Sequence, residues 1–179
     1  MTDQELRDIV ASLALSTKET DRHVQETDRQ LRQLGKQLGG LGEKFGSFTE
    51  GMAYPSMKKI LTEDFHMSFV APSVLRRQNG RALELDVLAY SNAGISEAYV
   101  VEVKSHLRPE SIEQIKNTLR QFREFFPEHA DKKVYGILAV VYIPEGVREK
   151  VLSEGIYLAR IHDGQFELEV PRNFEPRAF

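Results

Sequence analysis

Two apolar runs that carry charges at fixed places constrain this chain most. Ala82-Leu-Glu-Leu-Asp86-Val-Leu-Ala-Tyr90 is followed, across Asn92-Ala-Gly94, by Ala98-Tyr-Val-Val-Glu102-Val-Lys104. Both read as strands, and the Asn and Gly between them predict a hairpin turn. Side chains alternate along a strand, so Glu102 and Lys104 share a face, while Val101 and Val103 point the other way into a core. The run Tyr99-Val-Val-Glu-Val is apolar on both sides of Glu102, the pattern of a central strand covered on both faces. A charge there costs several kcal/mol unless it is paired or binds metal. The alternative is a solvated sheet face, on which charges at alternate positions are ordinary. Two carboxylates and an amine are thus brought together beside a sheet. Hard oxygen ligands suit Mg²⁺ or Mn²⁺, and a nearby ammonium suits a phosphate or an attacking water.

Asp86, the hairpin and Glu102-Val103-Lys104 resemble the PD-(D/E)xK nuclease superfamily, the restriction-endonuclease-like fold that includes Holliday junction resolvases. The resemblance covers residues 48–170. It implies that Asp86 and Glu102 bind a divalent metal, that the Val103 carbonyl adds a ligand, and that Lys104 orients or activates water. The pattern departs at Leu85, where the motif has Pro. In many members an acidic residue on the preceding helix completes the metal site, which would be Glu50; a helix-start carboxylate favoured by the dipole is the other reading. Glu84, two before Asp86, is either a further ligand or a solvated strand residue. Gln114 and Gln121, on the helix after the Lys104 strand, either touch the site, as in some members, or belong to a polar helix face.

The first part of the chain has a different period. Glu19-Thr-Asp-Arg22 recurs as Glu26-Thr-Asp-Arg29. From Leu6, apolar or Thr residues fall at spacings of four and three through Val10, Leu13, Thr17, Thr20, Val24, Thr27, Leu31, Leu34, Leu38, Leu41, Phe45 and Phe48. A 3.5-residue period held this long predicts a left-handed coiled coil about 60 Å long. One chain cannot bury so narrow a stripe, so self-association is expected; a lone amphipathic helix lying along the second domain is the alternative. Gly35, Gly39, Gly40, Gly42 and Gly46 each cost about 1 kcal/mol inside a helix. Either the helix continues through them with unusually close packing or it bends there into the globular domain. This stretch also resembles bacterial proteins that couple a heptad-repeat N terminus to a PD-(D/E)xK-like domain. The expected division is a coiled-coil oligomerisation helix over residues 1–46 and a nuclease-like domain over 47–179.

The second part reads as a helix from Phe48 to Thr62, with Met52, Met57, Ile60 and Leu61 apolar and a kink or restart near Pro55. A strand follows over Phe65–Leu75, broken at Pro72, and then the hairpin. Pro109 starts a helix spaced by Ile112, Ile115, Leu119, Phe122 and Phe126. Lys133–Ile143 is a buried strand, Pro144 opens a short helix to Ser153, and Ile156–Ile161 and Phe166–Val170 close around His162-Asp-Gly-Gln165. The expected fold is therefore α/β, a restriction-endonuclease-like αβββαβ core preceded by a long coiled-coil helix.

Composition narrows the setting. The chain has 179 residues, 41% of them hydrophobic, with no Cys and no Trp. Disulfides and thiolate metal sites are excluded, and a reducing cytoplasm is compatible. No apolar run approaches a membrane span, and Met1-Thr-Asp-Gln-Glu-Leu-Arg lacks a signal-peptide pattern. A net charge of −3 leaves DNA binding to local patches. Candidates are Arg76, Arg77 and Arg81, near the turn into the Asp86 strand, and Lys116, Arg120 and Arg123, spaced four and three on one helix face; a solvated surface is the other reading of each. No histidine pair has zinc spacing, and no Walker loop is present. His106 reads as a loop residue that either meets a phosphate or is merely exposed. Together these features predict a Mg²⁺- or Mn²⁺-dependent DNA endonuclease acting as a coiled-coil oligomer. The alternative is a non-catalytic oligomeric nucleic-acid-binding or scaffold module that retains the fold.

Overall fold

The computed structural model describes residues 2–92, 94 and 96–179. Ala93, in the expected hairpin turn, and the side chains of Leu6 and Val10, in the expected seam, lie outside the described residues. By internal contacts the chain divides into two units, one ending at Lys44 and one spanning Phe45–Phe179.

Helix α1 runs over Asp3–Glu63 and crosses the division. In the first unit it is continuous through Gly35, Gly39, Gly40 and Gly42, and a Cβ at any of these would meet open space. Within the single chain the glycines therefore neither interrupt the helix nor meet a neighbouring element. Leu13, Val24, Leu31, Leu34, Leu38 and Leu41 are all exposed.

In the second unit, α1 leads into β1 (Phe69–Gln78), β2 (Arg81–Tyr90), β3 (Glu97–His106), α2 (Pro109–Phe125), a 3₁₀ turn (Pro127–His129), β4 (Lys133–Tyr142), α3 (Val147–Ser153), β5 (Tyr157–His162) and β6 (Gln165–Leu168). The sheet order is β1-β2-β3-β4-β5-β6. Strands β1 to β3 form an antiparallel meander, β3 to β5 are parallel, and β6 returns antiparallel. This is the α/β fold, with the αβββαβ order, that the sequence predicts.

The sheet is covered on both faces. Ala53, Met57, Ile60 and Leu61 of α1 pack with Val87, Ala89, Tyr99, Val101 and Val103 on one side. Ile112, Ile115, Leu119, Phe122 and Phe125 of α2 pack with Leu83, Leu85, Val100 and Leu138 on the other. The central strand expected around Glu102 is thus β3, apolar on both faces.

Pro55 falls inside α1, as expected, and the helix does not restart there, whereas three other expectations are corrected. Losing one helical hydrogen bond and accommodating the ring costs about 3 kcal/mol or more, but Met57, Ile60 and Leu61 each stabilise by about 1.5–3 kcal/mol on burial, and Pro55 itself is exposed. Met52, expected on the apolar side, is 37% exposed, and Ala53 takes the buried place. Strand β1 begins at Phe69 rather than Phe65, whose ring instead packs on Tyr99 with centroids 4.4 Å apart. Pro72 does not break β1: it pairs with Val87 on an edge strand, where a missing N–H is tolerated. The break falls one residue later.

Candidate functional site

That break is what builds the site. Pro72↔Val87 and Val74↔Leu85 are paired, but Ser73, with φ +50°, is skipped opposite Asp86. On β2 the alternation fails at the same point. Leu83 and Leu85 face the α2 side, whereas Val87 and Ala89 face the α1 side. Pairing of β2 with β3 runs from Tyr90↔Ala98 to Val87↔Val101 and ends there. Asp86 therefore sits where the strands part. Its Oδ2 accepts the Val103 N–H at 2.7 Å, so a side chain replaces a backbone carbonyl as the partner of that buried amide.

Glu102 and Lys104 occupy the α2 face of β3, as their spacing predicts. Glu102 is 7% exposed. Lys104 Nζ lies 2.6 Å from Glu102 Oε1. Gln114 Nε2 approaches the same oxygen at 3.5 Å, at the outer limit of a hydrogen bond. Of the two glutamines considered, Gln114 is the one at the site. Gln121 instead accepts from Arg81 Nη2 at 3.1 Å.

On the opposite face a cleft is lined by Ser47, Glu50, Gly51 and Tyr54 of α1, Pro72 and Ser73 of β1, Asp86 and Val87 of β2, and Val103 of β3. Asp86 is the common neighbour of both halves. Burial first, and then the Glu102 carboxylate, push its carboxyl up to about 6; the Val103 amide and Lys104 pull the other way. Burial also raises the Glu50 carboxyl, followed by repulsion from Asp86 and Glu84. Glu84 is exposed and acts on the site only through its charge.

Whether these residues fit a divalent cation is a question of donors and charge. Asp86 and Glu102 are hard oxygen donors, and the Glu102 charge disfavours ionisation of Asp86, a repulsion that a dication relieves. The Val103 carbonyl belongs to β3, next in the chain to Glu102. The donor set fits a divalent metal. Among the described residues, however, no three His, Asp or Glu side chains converge as a ready metal cluster. Glu50 meets Asp86 across the cleft, while Glu102 is held by Lys104 on the other face.

Most of the candidate basic residues already have polar partners in the domain. Lys116 Nζ is clamped between Glu113 at 2.9 Å and Glu154 at 2.8 Å, with its side chain 10% exposed. Arg123 donates to the carbonyls of Ala130, Lys132 and Phe179 at 2.7, 3.2 and 3.0 Å. Both tie α2 to its surroundings, because helical spacing fixes direction but not partners. Arg76 pairs with Glu128 at 3.0 Å, Arg81 with Glu124 at 2.6 Å, and Arg120 bonds Asn117 at 2.8 Å. Arg77 is exposed.

Sequence reasoning missed Ser73, Tyr54 and Pro72 in the cleft wall. Ser73 carries no sequence signal, because it depends on the local failure of pairing. Pro72 was a usable signal of irregularity in β1.

Residues 4–83 match the family described as "Protein of unknown function (DUF3782)". No curated protein matches the chain. Among solved structures the chain is similar to the EndoMS–dsDNA2 complex, at 18% identity and TM-score 0.38, covering 62% of this chain and 45% of that one. It is similar to a repair endonuclease from Pyrococcus abyssi at 19% identity and TM-score 0.37, covering 62% and 47%. It is also similar to the protein of unknown function AF1548, at 16% identity and TM-score 0.36, covering 67% and 59%. The chain spans about half the length of the first two. Among the described residues no helix is long and apolar enough to cross a membrane.

Proposed function

We propose that this chain is a divalent-metal-dependent DNA endonuclease that works as an oligomer joined through its N-terminal heptad helix. The observation that carries the reading is the Asp86–Val103 bond at the parting of β2 and β3, with the Glu102–Lys104 pair beside it. A half-buried carboxylate there holds its orientation against an edge of open backbone, next to a second carboxylate and an amine. The motif's resemblance to the PD-(D/E)xK superfamily supports the same assignment.

In this reading Asp86, Glu102 and the Val103 carbonyl hold Mg²⁺ or Mn²⁺, with Glu50 reached across the cleft. Bound metal would polarise the phosphodiester and make coordinated water more acidic. The Val103 amide fixes the direction of Asp86. Lys104 supplies a positive charge for the phosphate oxygens or for aligning the attacking water. Glu50, whose carboxyl is raised above its ordinary value by burial, is placed to take a proton from water entering the cleft. Arg77 supplies an open phosphate contact. Arg76, Arg81 and Arg120 join it by exchanging exposed pairs that each contribute about 1 kcal/mol or less. Lys116 and Arg123 remain structural.

The exposed Leu13, Val24, Leu31, Leu34, Leu38 and Leu41 support self-association. Two or more sites per assembly suit cuts on both strands or on a branched DNA. One observation favours the rival, a non-catalytic binding module: Lys104 already neutralises Glu102, and among the described residues no third carboxylate completes a cluster. Plasmid nicking in millimolar Mn²⁺ separates the two. The endonuclease nicks, and Lys104→Ala does not; a wild-type protein that never nicks plasmid, branched or single-stranded DNA is the binding module.

A further inference from the structure

His106 is not a loop residue. It ends β3 and pairs in register with Tyr142, which ends β4. Their rings stack with centroids 4.8 Å apart and planes 26° apart. Every residue of β4 from Val134 to Val140 is buried, whereas Tyr142 is 54% exposed. His106 is exposed too. Two aromatic rings thus stand in solvent at the carboxyl ends of neighbouring parallel strands. In open α/β sheets that is the end at which ligands bind.

The position of the rings relative to the charged pair gives them a use. Glu102, Lys104 and His106 are alternate residues of β3, so they form one row on one face. Neighbours in the row are about 7 Å apart at a rise of about 3.4 Å per residue. Arg108, exposed, follows two residues later at the start of α2. Cation, aromatic pair and cation therefore succeed one another along the chain leading away from the site. Proteins that hold single strands use that alternation: cations follow the backbone, and bases stack on the rings. A base inside a duplex has its faces covered by its neighbours and offers neither to the rings.

We propose that the His106–Tyr142 pair is a stacking platform for an unpaired nucleobase beside Lys104. The substrate class is then DNA with unpaired nucleotides, single-stranded or locally distorted, rather than uniform duplex. The proposal rests on the endonuclease reading for the phosphate at Lys104, but its own test is a binding measurement.

The chain has no Trp, so Tyr142→Trp introduces a single indole at the platform. Without divalent metal, titration with an oligothymidine strand should quench its fluorescence, while a blunt duplex of equal length should not. Tyr142→Leu should weaken single-strand binding on the order of tenfold, since stacking contributes about 1–3 kcal/mol per base. Tyr142→Phe should bind as wild type, and thermal melts should show all three variants folded. If wild type nicks DNA but the indole is not quenched, or Tyr142→Leu binds as wild type, the platform is wrong and the endonuclease reading stands. If quenching and the Tyr142→Leu loss occur without any nicking, the platform stands and the endonuclease reading falls. If the wild type neither binds nor cuts, both fall.

Discussion

The Val103 amide donates to Asp86 Oδ2 at 2.7 Å at the point where β2 and β3 cease to pair. Regular pairing would have bonded that amide to a β2 carbonyl. Parting the strands leaves it to a side chain, and only a short acceptor at position 86 reaches it. The same parting lets Glu102 raise Asp86 from one face, while Asp86 in turn raises Glu50 across the cleft on the other. The break in the sheet thus satisfies a backbone donor while concentrating negative charge.

That charge has a pH signature. The Asp86 carboxyl rises from its ordinary 3.8 to about 6. A raised acid pKa means the native state binds the proton more tightly than the unfolded state. Stability from this group is therefore highest below about pH 4 and is lost as pH rises through about 6. Two units correspond to about 2–3 kcal/mol. Asp86→Asn keeps an oxygen for the Val103 amide but has nothing to ionise. Denaturant midpoints at pH 4.5 and 7.5 should show the variant gaining on wild type at the higher pH. Equal differences at both pH values would mean that Asp86 is not under this strain.

Divalent metal should reverse the penalty. A ligand at 100 times its Kd stabilises the native state by about 2.7 kcal/mol, which at this chain length raises Tm by several degrees. Wild type in Mn²⁺ at pH 7.5 should show that shift, and Asp86→Asn should not. Lys104→Ala should keep the shift, because it removes a competitor for Glu102 rather than a ligand, and lose any cleavage. A wild-type melt unmoved by millimolar Mn²⁺ would remove the metal from the site.

Much of this was legible in the sequence because period and chemistry coincide. Tyr99, Val101 and Val103 alternate with Glu102 and Lys104, and β3 has that alternation. Ile112, Ile115, Leu119 and Phe122 keep helical spacing, and α2 buries all four. What stayed hidden depends on partners remote in the chain. Nothing local marks Ser73 as the residue that skips its pairing, and spacing alone does not reveal that Lys116 is clamped by Glu154, 38 positions away. Pro55 falls inside α1 as the sequence suggests, but the restart it also suggests does not occur: its local cost was visible and the burial that outweighs it was not.

The heptad stripe makes a separate claim. Leu31 and Leu34 are 60% and 50% exposed in the single chain, and burying a leucine stabilises by about 1.5–3 kcal/mol. Full-length protein should sediment as a dimer or larger at micromolar concentration. Leu31→Asp should dissociate it without changing the melt of the second unit, and removal of the residues before Gly46 should leave a folded monomer, since Phe45–Phe179 holds its own core. A monomeric full-length protein would refute the seam.

The last prediction tests the packing that holds β3 and β4 under α2. Gly136 lies mid-strand in β4, opposite Val100 in register. A Cβ built there comes 2.7 Å from Leu119 Cδ1 and 3.1 Å from Ile115 Cδ1. Both contacts are side-chain ends, which on a surface would turn aside. Here Leu119 and Ile115 are fully buried among Phe122, Val134 and Leu138, so neither moves without displacing its neighbours. Gly136→Ala should therefore cost about 1–3 kcal/mol through overpacking, despite removing the entropic disadvantage of a strand glycine. Urea unfolding with an unchanged m value reads the loss directly. Gly136→Ala combined with Leu119→Val, which withdraws the nearest methyl, should recover part of it. If Gly136→Ala is neutral alone, α2 does not press on β4 at this position, and the close approach of helix to sheet beside the site is wrong.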